Sequence, residues 1–104
     1  MKVGKDASVG LHAMFDVFFP ELITLGDGCI IGYNATILAH EFLQNSYRTG
    51  QTRIGSRALI GANSTVLAGV SVGDNAVVSA MSLVNADVAP GALVGGVPCR
   101  RLRK

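Results

Sequence analysis

His40 combines a side chain suited to proton transfer with a position suited to a site. Imidazole changes charge nearest neutral pH, which fits general-base work. The residue stands three positions ahead of Leu43, where an eleven-residue segment, Leu43 to Arg53, interrupts an otherwise regular chain. Loops carried on rigid scaffolds are where catalytic side chains concentrate. Glu41 follows directly, and a carboxylate beside an imidazole raises its basicity and fixes its orientation, as in a catalytic triad. His40 and Glu41 are therefore the candidate catalytic pair. Asp16, Asn85 and Asp87 join them through the spacing of the chain.

The elements that must position these residues repeat every six positions. Hexads start at Val3, Val9 and Phe15, then Leu25, Ile31 and Ile37, then Ile54, Ile60, Val66, Val72, Val78 and Val84, and all twelve starts are large and apolar. At the fifth position, ten of the twelve are Ala, Ser, Cys or Val, so large and small inward residues alternate. A helix would repeat near 3.6 residues and a simple sheet near 2, and neither fits. A period of six is the signature of a parallel β-helix, in which each rung buries its apolar face by stacking on the next. Three hexads make one triangular coil, giving a single domain over 1–104 with coils at 3–20, 25–42, 54–71 and 72–89 and a tail at 90–104. The insertions Glu21 to Thr24 and Leu43 to Arg53 both fall between completed coils and should leave the prism at one corner. With rungs about 4.8 Å apart, four coils predict a prism roughly 20 Å tall.

Coil arithmetic gives His40 its neighbours: Phe18 one coil below, Gly69 one above and Asp87 two above, with Asp16 and Asn85 at second positions of hexads on the same face. Glu41 conflicts with the repeat, which would aim its carboxylate into the prism, where an unpaired charge is too costly. Either the backbone leaves the repeat just after His40, or Glu41 pairs with His40 or with a loop residue such as Arg48.

Composition narrows the rest. Apolar residues make up 49% of the chain and charged residues 15%, more apolar surface than a narrow prism can hide, which predicts a subunit interface. No stretch approaches the 18 or more apolar residues of a membrane span, and no signal-peptide core precedes Val3, so the expectation is a cytoplasmic protein with no membrane partner. Cys29 and Cys99 give neither a disulfide framework nor a metal cluster. Arg100, Arg101, Arg103 and Lys104 gather four of the nine basic residues at the C-terminus. Without interleaved aromatics or a recognition helix, this favours a phosphate-bearing small molecule over nucleic acid.

The segments Ile31 to His40, Ile60 to Asp74 and Gly96-Val-Pro-Cys-Arg100 closely resemble the hexapeptide-repeat acyltransferases, in the branch of the maltose and galactoside O-acetyltransferases. The resemblance implies an all-β, left-handed parallel β-helix assembled as a homotrimer, with active sites between adjacent prisms and acetyl-CoA as co-substrate, without a metal. It implies that His40 deprotonates a hydroxyl or amine of a small acceptor, sugar-like compounds being one class of these; sugar specificity itself is not carried over, because the asparagine that sugar-acetylating relatives use falls near His12 to Met14 here. It also implies that the backbone near Ala62 and Ala80 holds the pantetheine arm with Asn85 nearby, that Val97 and Pro98 lie by the adenine, and that Arg100 and Arg103 lie by the phosphates. Many relatives carry Lys where this chain has Ala86, which removes one cationic contact. Asp16 is the nearest polar candidate for binding the acceptor, and the Gly69 amide is a candidate oxyanion donor by spacing. Relatives commonly have a helical segment before the first coil, whereas this chain enters the first hexad at Val3, so its first rung would need a cap.

Two other classes share the fold. A non-catalytic trimeric binding or structural module would keep the prism and lose turnover. A zinc carbonic anhydrase-like protein would need three protein ligands, whereas this chain offers His12 and His40, 28 positions apart.

Overall fold

The computed structural model describes residues 1–103, with side chains through Leu102. Short strands wind into a triangular prism with three parallel faces. The first face stacks Lys2–Val3, Ile23–Leu25, Thr52–Ile54 and Ser71–Val72. The second stacks Ser8–Val9, Ile30–Ile31, Leu59–Ile60, Val77–Val78 and Leu93–Gly95, closed by the antiparallel strand Arg100–Arg103. The third stacks Met14–Phe15, Thr36–Ile37, Thr65–Val66 and Leu83–Val84. Among the described residues no helix is long and apolar enough to cross a membrane.

The hexad starts pair in register from coil to coil, as Val3 with Leu25, Leu25 with Ile54 and Ile54 with Val72. From Leu25 to Val84 they are 0–2% exposed, and with the small residues Cys29, Ala35, Ala58 and Ala76 they form one continuous core. Burial raises the Cys29 thiol pKa. The first coil is open, with Val3 and Val9 about half exposed.

The glycine after most hexad starts has a steric cause. A Cβ on Gly61 would lie 2.5 Å from the Ala80 amide nitrogen, and one on Gly55 would lie 2.6 Å from that of Asp74. Each coil corner passes so close to the next that a methyl group would strike backbone.

Two departures from the expected coils matter. The fourth coil ends early: Val88 bridges to Val72 and Val94 pairs with Val78. Residues 88–95 thus begin a fifth coil, and the tail proper starts later than residue 90. Val88 remains inward because the shortened side brings it to a first position instead of a fifth. The second departure is at Glu41, where the chain leaves the prism. The strand His40–Phe42 pairs antiparallel with Tyr47–Thr49 as a projecting hairpin, and Glu41 is exposed on it, paired with Arg48. Thr52 fills the vacated inward place, in register with Ile23 below. Both insertions leave at the corner between the third and first faces.

Candidate active site

His40 sits where the hairpin departs, with only 13% of its side chain exposed. Its Nδ1 pairs with Oδ2 of Asp16, one coil below. Asp16 is held as an acceptor on both oxygens. Oδ1 takes the amides of Phe18 and Phe19, each at 2.9 Å, and Oδ2 also takes the amide of Ala39 at 2.7 Å. Burial raises the Asp16 pKa, but the bonds from Phe19, Ala39, His40 and Phe18 outweigh it and hold the carboxyl at about 2. An ionised carboxylate can only accept, so in the neutral imidazole Nδ1 carries the proton and Nε2 the lone pair. That is the tautomer a general base requires.

This arrangement reverses two sequence-based assignments. The orienting carboxylate is Asp16 and not Glu41, because consecutive residues on an extended strand point to opposite sides and Glu41 turns outward to Arg48. Asp16 has a fully buried side chain, so it has no surface to offer an acceptor.

His40 lines a cleft of about 620 Å³ between the hairpin and the coils above, together with Phe42, Arg48, Gly50, Gly69 and Asn85. The Gly69 amide donates to Thr52 Oγ1 at 3.0 Å, so it is engaged and is not the free oxyanion donor that its spacing suggested. Thr52 in turn donates to the Leu38 carbonyl at 2.7 Å, which ties the base of the hairpin to the cleft floor. Phe18 and Phe42 flank the imidazole edge-on at ring-centre distances of 5.2 and 4.5 Å.

Of the residues assigned to a cofactor whose side chains are described, the isolated chain brings only Asn85 to His40. Ala62 and Ala80 follow Gly61 and Ser79 at the other end of the third face, joined by the Met81 amide donating to the Ala62 carbonyl at 2.8 Å. Val97 and Pro98 are exposed in a turn stacked above Leu83, whose amide donates to Gly96 at 3.0 Å and whose carbonyl accepts from Cys99 at 2.8 Å. Arg100 and Arg101 line a smaller cavity of about 220 Å³ with Ala86 and Asp87. That places Asp87 away from His40, with Oδ1 accepting the Ser71 amide at 2.9 Å. The side chain of Arg103 lies outside the described residues. His12 stands at a different corner from His40, edge-on to Tyr33.

Residues 51–86 match the family model described as the hexapeptide repeat of succinyl-transferase. A Bacillus subtilis (strain 168) protein, YvoF, which bears a provisional acetyltransferase name, is 57% identical across 96% of this chain and 58% of its own length. This chain belongs to the hexapeptide-repeat family. Within that family, the galactoside O-acetyltransferase of Escherichia coli (strain K12) is 34% identical over 79% of this chain and 44% of its own length. A hexapeptide-repeat acetyltransferase of Vibrio cholerae, solved with acetyl coenzyme A, superposes with a TM-score of 0.80 at 25% identity, covering 97% of this chain and 69% of that one. The shared architecture is the left-handed β-helix. The chain spans about three fifths of the length of the first curated relatives it matches.

The second positions of the hexads mark the corner of the candidate site in sequence. Second positions on the first two faces are Gly4, Gly10, Gly26, Gly32, Gly55, Gly61 and Gly73, with Ser79 the exception, whereas on the third face they are Asp16, Leu38, Leu67 and Asn85. Apart from Ser79, side chains occupy this position only at that corner, and both polar ones there border the candidate site.

Proposed function

We propose that this chain is the β-helix of an acyl-CoA dependent acyltransferase that moves an acetyl group from acetyl-CoA to a hydroxyl or amine of a small, sugar-like acceptor, with His40 as general base. The observation that carries the reading is the buried Asp16 carboxylate on His40 Nδ1, which leaves Nε2 basic at a cleft. Acetyl-CoA would supply an activated acyl carbon and a good leaving thiolate. The cleft fits an extended thioester ending in phosphates: it rises from His40 past Gly69 to Asn85, and the next residue, Ala86, opens the cavity lined by Arg100 and Arg101.

In this reading His40 Nε2 takes the proton from the acceptor as its oxygen or nitrogen bonds to the acyl carbon, and later returns it to the departing sulfur. Asp16 holds the ring and stabilises the imidazolium that forms between these steps. Asn85, on the upper side of the cleft, would donate to the developing oxyanion. Acetyl-CoA is also the molecule bound in the Vibrio cholerae relative.

The working form in this proposal is a homotrimer. Ala62, Ala80, Val97 and Pro98 stand across the third face from His40, at a corner where Tyr33, Met81 and Val97 expose 52–71% of their surface. Packing that corner against the cleft of a neighbouring prism would cover the apolar side chains and bring the small-residue wall to the site. Sedimentation at a single trimer mass tests this.

Thiol release from acetyl-CoA, measured against a panel of sugars, amino sugars and small amines, tests the activity. Release with at least one acceptor, falling by about two to four powers of ten in His40→Ala, is expected. A folded wild-type protein that releases no thiol with any acceptor refutes it.

A further inference from the structure

The chain has six aromatic residues, and four of them gather around His40. Phe18 and Phe42 lie 5.5 Å apart edge-on, Phe42 and Tyr47 lie 6.0 Å apart edge-on, and Phe19 stacks on Tyr47 at 5.8 Å. Phe19 is partly buried beneath them, but Phe18, Phe42 and Tyr47 are 61%, 59% and 56% exposed. The rings thus form a strip open to solvent, with the reactive imidazole at one margin. Phe18 comes from the first coil and Asn85 from the fourth, so the Phe18 end of the strip lies below His40, away from the route proposed for the thioester, while Phe42 borders both. Charges beside it cancel, because Glu41 and Arg48 pair with each other. Among the described residues, this pairing leaves the strip without a free cation for a phosphorylated or carboxylated ligand.

We infer that this strip is the acceptor subsite, and that it takes neutral acceptors carrying a flat apolar ring face next to the reacting hydroxyl or amine. The inference rests on the transferase reading for its chemistry but not for its binding. Aromatic faces attract apolar ring surfaces with a defined geometry, and an acceptor stacked on Phe18 and Phe42 would present its nucleophile at the margin where His40 Nε2 stands. No recognition by charge is needed. The strip would also supply orientation, since a ligand held against two rings has few ways to turn.

The test compares matched phenyl and methyl glycosides of glucose and of galactose, by ligand-observed NMR titration and by thiol release from acetyl-CoA. The phenyl member of each pair should bind roughly five- to tenfold more tightly, the size of one good ring contact. Phe18→Ser should abolish that preference, and Phe18→Leu, which keeps apolar area without a ring face, should abolish most of it. Both variants should melt within a few degrees of wild type, because Phe18 is largely exposed. Equal affinity within the pairs, no measurable binding of either phenyl glycoside, or a preference that survives Phe18→Ser would each overturn the inference. Thiol release at equal rates from phenyl and methyl acceptors would overturn it while leaving the transferase reading intact. Phenyl-selective binding without thiol release would do the opposite.

Discussion

Replacing Asp16 by Asn exchanges one acceptor oxygen for a donor and leaves the shape almost unchanged. In the wild type, Oδ1 accepts from Phe18 and Phe19, and Oδ2 accepts from Ala39 and His40. The amide can satisfy one side only. If its oxygen stays with Phe18 and Phe19, its NH₂ meets the Ala39 N–H donor to donor, and His40 can pair with it only by accepting at Nδ1. The imidazole proton then moves to Nε2 and the base is lost. A buried donor left unmatched costs about 1–3 kcal/mol. A carboxyl that titrates at about 2 in the fold and at 3.8 outside it contributes about 2 kcal/mol near neutral pH. The two losses overlap, so the variant should be destabilised by about 2–4 kcal/mol, on the order of 10–20 °C in melting temperature for a domain of this size.

The rate effect of Asp16→Asn should match removal of the base, about two to four powers of ten in thiol release. Nitrogen-15 chemical shifts of His40 report the tautomer directly and need no acceptor. They should show the proton on Nδ1 in the wild type and on Nε2 in the variant. A folded Asp16→Asn protein that keeps the Nδ1–H tautomer, or that retains thiol release within threefold of wild type, would refute the reasoning.

Because the folded pKa of Asp16 is depressed, its stabilisation is fully present above 3.8 and is lost as pH falls toward about 2; acid titration of melting temperature should show a decline through that window that is missing in Asp16→Asn. Glu41→Gln breaks an ion pair whose members are 72% and 47% exposed, worth at most about 1 kcal/mol, so thiol release should stay within about twofold of wild type; a hundredfold loss would restore Glu41 as the catalytic partner. Thr52→Val keeps the inward volume but removes the bonds to Leu38 and Gly69, and should cost about 1–3 kcal/mol in denaturant unfolding, with faster hydrogen exchange at the Gly69 amide. Gly61→Ala should cost at least as much by thermal melting, since its Cβ would sit 2.5 Å from the Ala80 amide nitrogen, where backbone must yield.

The hexad spacing determined the prism, its three faces and the identity of the core, because a residue that must point inward on every rung leaves a strict periodic trace. It also placed both insertions at one corner and His40 beside the longer one. The fourth coil's early end left no such trace, since Val88 is apolar and inward under either register, and the pairings of Val88 with Val72 and of Val94 with Val78 reveal it.

Roles within the site depended on geometry that periodicity does not encode. Glu41 is the neighbour of His40 in sequence, but a strand turns adjacent side chains to opposite sides, so it faces solvent. Asp16 is 24 residues away in sequence, yet one turn of the prism lays it beneath the imidazole. Three backbone amides reach its carboxylate there, which no count of residues foretells. The Gly69 amide illustrates the same limit: its spacing aimed it at the cleft, and a hydroxyl that enters the wall only after the hairpin, that of Thr52, engages it. Sequence by itself determined which residues share a corner of this β-helix; the third dimension decided which of them touch, because hydrogen bonds are settled by directions and distances that the six-residue period leaves open.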